Sequence, residues 1–137
     1  MVLWESSVIV VACGSRTWTD VQIIRRRISA LKRTDIVIHG DAIGADTIIH
    51  ACAIQRGLFV GRFTVEQAHY DLYGRTAPLS RNAAMAALKP SLVIAFRVDG
   101  KSNGTDNMVH AALTVRKRME QPLSIEVWKE NGTKENK

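Results

Sequence analysis

Five short apolar runs divide the chain at fairly even intervals and predict β-strands. Three runs contain valine, isoleucine or leucine at neighbouring positions, the other two mix these residues with phenylalanine or polar residues, and most runs are followed by glycine or polar residues. Runs that are apolar at consecutive positions are typical of strands covered on both faces, as in a parallel sheet. The predicted strands span residues 8–13, 35–39, 58–63, 91–96 and 123–127.

Apolar residues at helical spacing fill most of the intervals between these runs. Thr19 or Asp20 can serve as the N-cap of the first helix, and Gly57 can end the second. The interval 64–79 has no helical pattern, contains Pro78, and is predicted to be irregular before a short helix over residues 81–88. The other apolar helix stripes are Val21, Ile24, Ile28 and Leu31, then Ile48, Ile49 and Cys52, and finally Met108, Ala112, Val115 and Met119.

This alternation of strands and helices predicts an α/β fold. Such an order implies one mostly parallel, five-stranded sheet with helices on both faces. The predicted domain covers residues 1–128, and residues 129–137 are expected to form a flexible polar tail. A length of 137 residues with 46% hydrophobic residues fits a single domain with its own core.

Composition narrows the class of protein. No apolar run approaches the ~20 residues of a membrane span, and Met1–Ser7 lacks a basic signal region, so a cytoplasmic protein is expected. Cys13 and Cys52 lie in apolar segments without metal-ligand spacing, so reduced core thiols and no metal or cofactor are expected. A net charge of +6 favours an anionic ligand or a polyanionic partner without choosing between them.

Three glycine-containing loops follow predicted strand ends. They are residues 14–16, 40–46 and 100–105. Ligands of open parallel sheets bind beyond the carboxyl ends of the strands, where helix N-termini attract phosphate. Ordinary turns are the competing interpretation, since neither GxGxxG nor GxxxxGK[ST] is present.

Individual residues in these loops leave alternatives open. Asp46 could be a helix N-cap or an acceptor for a ribose hydroxyl, and Ser15 and Thr105 could be loop caps or phosphate donors. Arg16 and Arg81 could be surface cations or bidentate phosphate ligands. The irregular interval could cover a base or sugar or be a packed structural excursion, and it carries His69, Tyr70, Tyr73 and Arg75.

Taken together, these segments resemble the SLOG superfamily of Rossmann-like proteins, and more narrowly its small YspA-type branch. The matching pieces occur in family order between about residues 8 and 127. They are Cys13-Gly14-Ser15-Arg16 with Trp18, His39-Gly40, Gly44-Ala45-Asp46, Tyr73-Gly74-Arg75, Arg81-Asn82 with Met85, Ala95-Phe96, and Gly104-Thr105 with Met108. The resemblance implies a single Rossmann-like domain with a nucleotide-related ligand in the pocket formed by the loops. The candidate ligand-binding residues are Gly14, Ser15, Arg16, Gly40, Gly44, Asp46, Arg75, Arg81, Asn82, Gly104 and Thr105.

One position departs from the phosphoribohydrolase branch of that superfamily. Its signature resembles PGGxGTxxE and ends in a catalytic glutamate, whereas this chain has Met108 at that place. A thioether cannot transfer a proton or stabilise an oxocarbenium-like centre. Asp46 and Asp106 are the carboxylates that could replace it.

Three functions follow, in order of preference. The first is binding of a nucleotide or nucleotide-derived signal, cyclic or ADP-ribose-like, by a sensor or sequestering protein of a bacterial defence system or a phage. The second is an enzyme that processes nucleotides, such as a phosphoribohydrolase. The third is binding of single-stranded DNA, as in DprA relatives. The resemblance also implies a homo-oligomer, for which Trp4 and Trp128 are candidate interface residues unless they pack in the core of the monomer.

Overall fold

The computed structural model describes residues 8–137, which form one six-stranded sheet flanked by helices. The strand order is β3-β2-β1-β4-β5-β6, so the chain moves outward from β1 first in one direction and then in the other. The strands are β1 (Ile9–Gly14), β2 (Ile36–His39), β3 (Phe59–Arg62), β4 (Leu92–Phe96), β5 (Ser124–Trp128) and β6 (Lys134–Asn136).

Strands β1 to β5 pair in parallel, as the alternation of strands and helices along the chain predicts. In β1, Val11 pairs with Ile38 on one side and with Val93 on the other. The predicted count of five strands is wrong by one, because β6 pairs antiparallel with β5. Strand β6 lies in the segment predicted to be a flexible tail, and all three of its residues are exposed. None of its residues is apolar, so the sequence shows no apolar pattern that would predict this strand.

Helices cover both faces of the sheet, which confirms the predicted architecture. They are α1 (Val21–Ser29), α2 (Ala45–Arg56), α3 (Gln67–Tyr73), α4 (Ala77–Ala86) and α5 (Asn103–Arg116). Asp20 is the N-cap of α1 and accepts hydrogen bonds from the backbone of Gln22 and Ile23, and Gly57 ends α2 in a left-handed conformation. No helix in residues 8–137 is long and apolar enough to cross a membrane.

The central strand divides its side chains between two hydrophobic cores. Val10 and Ala12 pack with α1 and α2, whereas Val11 and Cys13 pack with α4 and α5. This is the period-two alternation of a strand buried on both sides. The sheet is therefore fixed between two helical layers, and the loops at its carboxyl edge start from rigid supports.

The interval predicted to be irregular is largely helical. It contains α3, a 3₁₀ turn at Gly74–Thr76 and the first turn of α4. Pro78 lies in that first turn, where its missing N–H has no partner to lose, and α4 begins before residue 81, the predicted helix start. Helix α3 buries no side chain, so it has no apolar stripe for a sequence pattern to show.

Trp128 contributes to the fold of the monomer. Its ring packs against the core shared with α1 and α2, and its indole N–H donates to Glu126 at 2.9 Å. Trp4 lies outside the described residues. Oligomerisation through these residues stays a prediction.

Candidate nucleotide-binding cleft

A cleft of about 440 Å³ opens at the carboxyl ends of β1 and β4. These two strands are neighbours in the sheet, although the chain leaves them in opposite directions. Their divergence is the topological switch point at which open parallel sheets bind ligands. The cleft is lined by residues 13–17, 101–105, Ala42, Asp46, Pro78, Leu79, Arg81, Asn82 and Met85. The structure therefore brings the predicted first and third glycine loops together.

The N-terminus of α5 opens into this cleft without a side-chain cap. The first helical backbone bond runs from the N–H of Asp106 to the carbonyl of Ser102 at 2.9 Å. The peptide N–H groups of Asn103, Gly104 and Thr105 donate to no other described residue. Free N–H groups at a helix start attract anions, because the helix dipole adds partial positive charge there.

Two cations stand beside these free N–H groups. The side chains of Arg16 and Lys101 are exposed and line the same cleft. Neither forms an ion pair within residues 8–137, so both charges remain available to a ligand. This part of the cleft has the character of a phosphate site.

The hydroxyl of Ser15 joins two of the loops. It accepts the backbone N–H of Val98 at 2.9 Å and lies 2.8 Å from the hydroxyl of Ser102. Ser102 in turn donates to the carbonyl of Val98 at 2.8 Å, so the proton between the two serines belongs to Ser15. Of the two sequence interpretations, the structure favours loop cap over phosphate donor for Ser15.

Asp46 lies in the first turn of α2 and is almost fully buried at the side of the cleft. One carboxylate oxygen accepts the backbone N–H of Ala42 at 3.1 Å, and the other has no hydrogen-bond partner among the described residues. The N-cap of α2 is Gly44, so the N-cap interpretation of Asp46 is wrong. Burial raises the pKa of Asp46 to about 6, although nearby Arg81 opposes the shift.

This raised pKa predicts a pH-dependent stability difference. The folded chain holds the Asp46 proton more tightly than the unfolded chain, so its contribution to the free energy of unfolding is present below about pH 4. That contribution is lost between about pH 4 and pH 6. Asp46→Asn is therefore expected to be more stable than wild type at pH 7 by about 3 kcal/mol and not at pH 4. Urea unfolding of both proteins from pH 4 to pH 7 measures the difference.

Burial lowers the pKa of His39, whereas it raises that of Asp46. Stability must therefore be compared between wild type and Asp46→Asn at each pH. Burial and the neighbouring His50 lower the pKa of His39 to about 4, so its contribution to stability is lost as the pH falls below about 6.5. The effect is common to wild type and Asp46→Asn and cancels in their difference. A stability difference that stays constant from pH 4 to pH 7 would contradict the assignment to Asp46.

Arg81 and Asn82 attach α4 to the loops around the cleft. Arg81 donates to the carbonyl of Gly40 at 3.0 Å and to the side-chain oxygen of Asn82 at 3.3 Å. Asn82 is buried and donates to the carbonyl of Gly104 and to Asn107. The N–H at Nε of Arg81 is buried without an acceptor among the described residues. Asn82 is thus a positioning residue, whereas Arg81 retains a free donor.

Sulfur-containing side chains form the floor of the cleft. Cys13 and Met85 line it and belong to the core beneath. Burial and the nearby Asp46 carboxylate raise the pKa of the Cys13 thiol far above its ordinary value, which argues against a thiolate nucleophile. Met108 is fully buried in the same core. The position that corresponds to the glutamate of the phosphoribohydrolase signature is therefore part of the apolar core.

Four predicted site residues do not line the cleft. Gly40 and Gly44 instead permit close packing, because an added Cβ would meet the guanidinium of Arg81 and the backbone of Arg16, respectively. Arg75 is exposed in the 3₁₀ turn. Asp106 faces another cavity and forms an ion pair with Arg97 at 2.7 Å. Of the two candidate carboxylates, only Asp46 is in the cleft.

Several lining residues were missed by the sequence interpretation. Lys101 and Met85 add a cation and part of the floor, and Pro78 and Leu79 form one wall. Positions 78, 81, 82 and 85 share a helix face, a spacing that becomes informative only once α4 is known to begin at Ala77. Within residues 8–137, no cluster of three or more histidine, cysteine or acidic side chains could hold a metal ion.

Comparison with known proteins agrees with this geometry. Residues 8–70 match the YspA, cpYpsA-related SLOG family. This part of the chain is similar in sequence to the SLOG superfamily. The matched stretch contains the loops that follow β1 and β2, including Ser15, Arg16 and Asp46. No curated protein matches the chain in sequence.

A solved structure extends the fold likeness beyond the matched stretch. DNA processing protein A (DprA) from Streptococcus pneumoniae is 16% identical, with a TM-score of 0.54 over 88% of this chain. The chain covers 59% of the length of that protein. At this identity the likeness concerns the fold alone, which is an α/β arrangement seen in a solved structure.

Proposed function

We propose that the chain binds a phosphate-bearing nucleotide or nucleotide-derived signal in the cleft, as a sensor or sequestering protein. The observation that carries this proposal is the uncapped N-terminus of α5. Three peptide N–H groups there have no acceptor among residues 8–137, and the cations Arg16 and Lys101, which form no ion pair in that range, line the same cleft. Backbone donors, a helix dipole and two cations together favour a phosphate group over a neutral ligand.

The rest of the cleft suits the sugar of a nucleotide. The unpartnered carboxylate oxygen of Asp46 can accept a hydrogen bond from a ribose hydroxyl. Cys13 and Met85 add an apolar floor to the same cleft. A few polar groups above an apolar floor are typical of small-molecule sites.

A calorimetric comparison of AMP, adenosine and ribose 5-phosphate tests the proposal. We expect wild type to bind AMP and ribose 5-phosphate more tightly than adenosine near physiological ionic strength. The double variant Arg16→Met/Lys101→Met is expected to bind AMP roughly tenfold more weakly, with adenosine binding unchanged. The cations are exposed, so the loss should shrink as salt is added.

A matched control removes two charges elsewhere. Lys32→Met/Arg33→Met deletes the same net charge from exposed residues before β2, at the opposite edge of the sheet. Its AMP affinity should stay near that of wild type. Equal losses in both double variants would indicate a long-range effect of net charge, and absence of binding of all three compounds would overturn the proposal.

Nucleotide hydrolysis is the second candidate, favoured by Asp46 alone. It is the carboxylate among the cleft-lining residues, and a pKa near 6 suits a general acid at neutral pH. Chromatography of AMP incubated with the protein would detect free adenine. Release that disappears in Asp46→Asn would replace the binding proposal with an enzymatic one.

Binding of single-stranded DNA ranks third. The net charge of +6 supports it, but part of the positive charge is already paired, as in Arg27 with Glu126 and Arg97 with Asp106. Affinity for an oligonucleotide that falls steeply between low and physiological salt would raise this function above the other two.

A further inference from the structure

A second cavity of about 250 Å³ adjoins the cleft at Arg81. It lies between the end of β3 and helices α3 and α4, and its walls include Phe63, Val65, His69 and Tyr73. Arg81 lines both this cavity and the cleft. Arg81 is therefore the residue that the two spaces share.

The guanidinium of Arg81 borders both the cleft and the second cavity and is fixed in position. Its two hydrogen bonds, to Gly40 and Asn82, fix the plane of the group, while the buried N–H at Nε keeps no acceptor among the described residues. A fixed guanidinium offers a flat face for stacking and a free donor at its edge. Both suit a planar heterocycle with acceptor nitrogens.

Aromatic rings and one further donor complete this cavity. The ring nitrogen Nδ1 of His69 accepts the backbone N–H of Glu66 at 3.0 Å. The neutral ring therefore carries its proton on Nε2, which remains available as a donor. Tyr73 is about half exposed, so its ring is accessible to a ligand. Rings that are accessible beside a phosphate site are the usual partners of stacked bases.

We propose that this cavity takes the nucleobase of the ligand whose phosphate lies at the N-terminus of α5, with Tyr73 as the stacking ring and Arg81 between the two subsites. The assignment rests on the proposed function and adds the part of the ligand that reaches α3. It makes the ligand an intact nucleotide instead of a sugar phosphate alone. The polar donors around the cavity favour a base with ring-nitrogen acceptors.

Replacing Tyr73 with alanine separates the two subsites. Tyr73→Ala is expected to weaken AMP binding at least about fivefold, the lower end of the loss seen when a stacking ring is removed. Ribose 5-phosphate has no base, so its affinity should not change. Tyr73→Phe keeps the ring and should bind AMP like wild type. Calorimetry with the two ligands measures all of these affinities.

Tyr70→Ala is the matched control. Tyr70 is exposed on the same helix and lines neither cavity. Its removal should leave both affinities unchanged, and thermal unfolding checks that each variant is folded. If AMP binds wild type but Tyr73→Ala leaves its affinity unchanged, or weakens both ligands equally, the base subsite is wrong and the phosphate site stands. If neither ligand binds wild type, the proposed function fails together with this assignment.

Discussion

Replacing Gly14 with alanine is expected to lower the free energy of unfolding by about 3 kcal/mol or more, because the added methyl has no space. Its Cβ would lie 2.6 Å from the carbonyl oxygen of Phe96 and closer still to the Cβ of Ala45. One of these atoms belongs to the backbone of β4 and the other to the first turn of α2, so neither can rotate away. Urea unfolding at pH 7 measures the loss.

The same substitution at Gly104 provides the control. Gly104 lies in the first turn of α5, and a Cβ there would meet no heavy atom within 4 Å. The stability of Gly104→Ala should stay within about 0.5 kcal/mol of wild type, as for ordinary surface substitutions. Equal stabilities of Gly14→Ala and wild type would show that the loop can open without cost.

Arg81→Met is expected to weaken AMP binding about 30-fold or more. The change removes the cation shared by the two cavities and the free N–H at Nε, while methionine keeps most of the apolar stem. It also leaves the carbonyl of Gly40 without its donor, so stability should fall by about 1 kcal/mol. Calorimetry with AMP, at a temperature where both proteins are fully folded, measures the affinity.

Arg75→Met is the control for charge. Arg75 precedes α4 by two residues and is exposed, but it lines neither the cleft nor the adjoining cavity. Its loss should change AMP affinity less than about threefold, the effect of one exposed charge. A larger effect from Arg75 than from Arg81 would restore Arg75 as a ligand-binding residue and move the site toward the 3₁₀ turn.

The parallel core of the fold could be predicted from the sequence because burial on both faces leaves a direct signal. Consecutive β-branched residues in β1 and β4 have no other common explanation. The same reasoning failed for α3, which buries no side chain, and for β6, which is held by backbone pairing. Elements without an apolar face leave no pattern to detect.

The sequence predicted the location of the candidate site more accurately than it predicted the contacts of the individual residues. Glycine after a strand indicated close approach, but at Gly40 and Gly44 the approaching group is another part of the chain. Asp106, the other candidate carboxylate, lies outside the cleft because of the geometry of α5. Thr105 is buried toward the cleft, and one further residue turns the helix by about 100°, which directs Asp106 to the ion pair with Arg97.

The hydrogen bond between Ser15 and Ser102 has a consequence for how quickly and how selectively a ligand is taken up. It ties the loop after β1 to the start of α5, so the phosphate donors are already in place before a ligand arrives. Little conformational entropy then remains to be lost on binding. The preorganised site should therefore discriminate between ligands by their shape. Related ligands should differ more in residence time than in association rate.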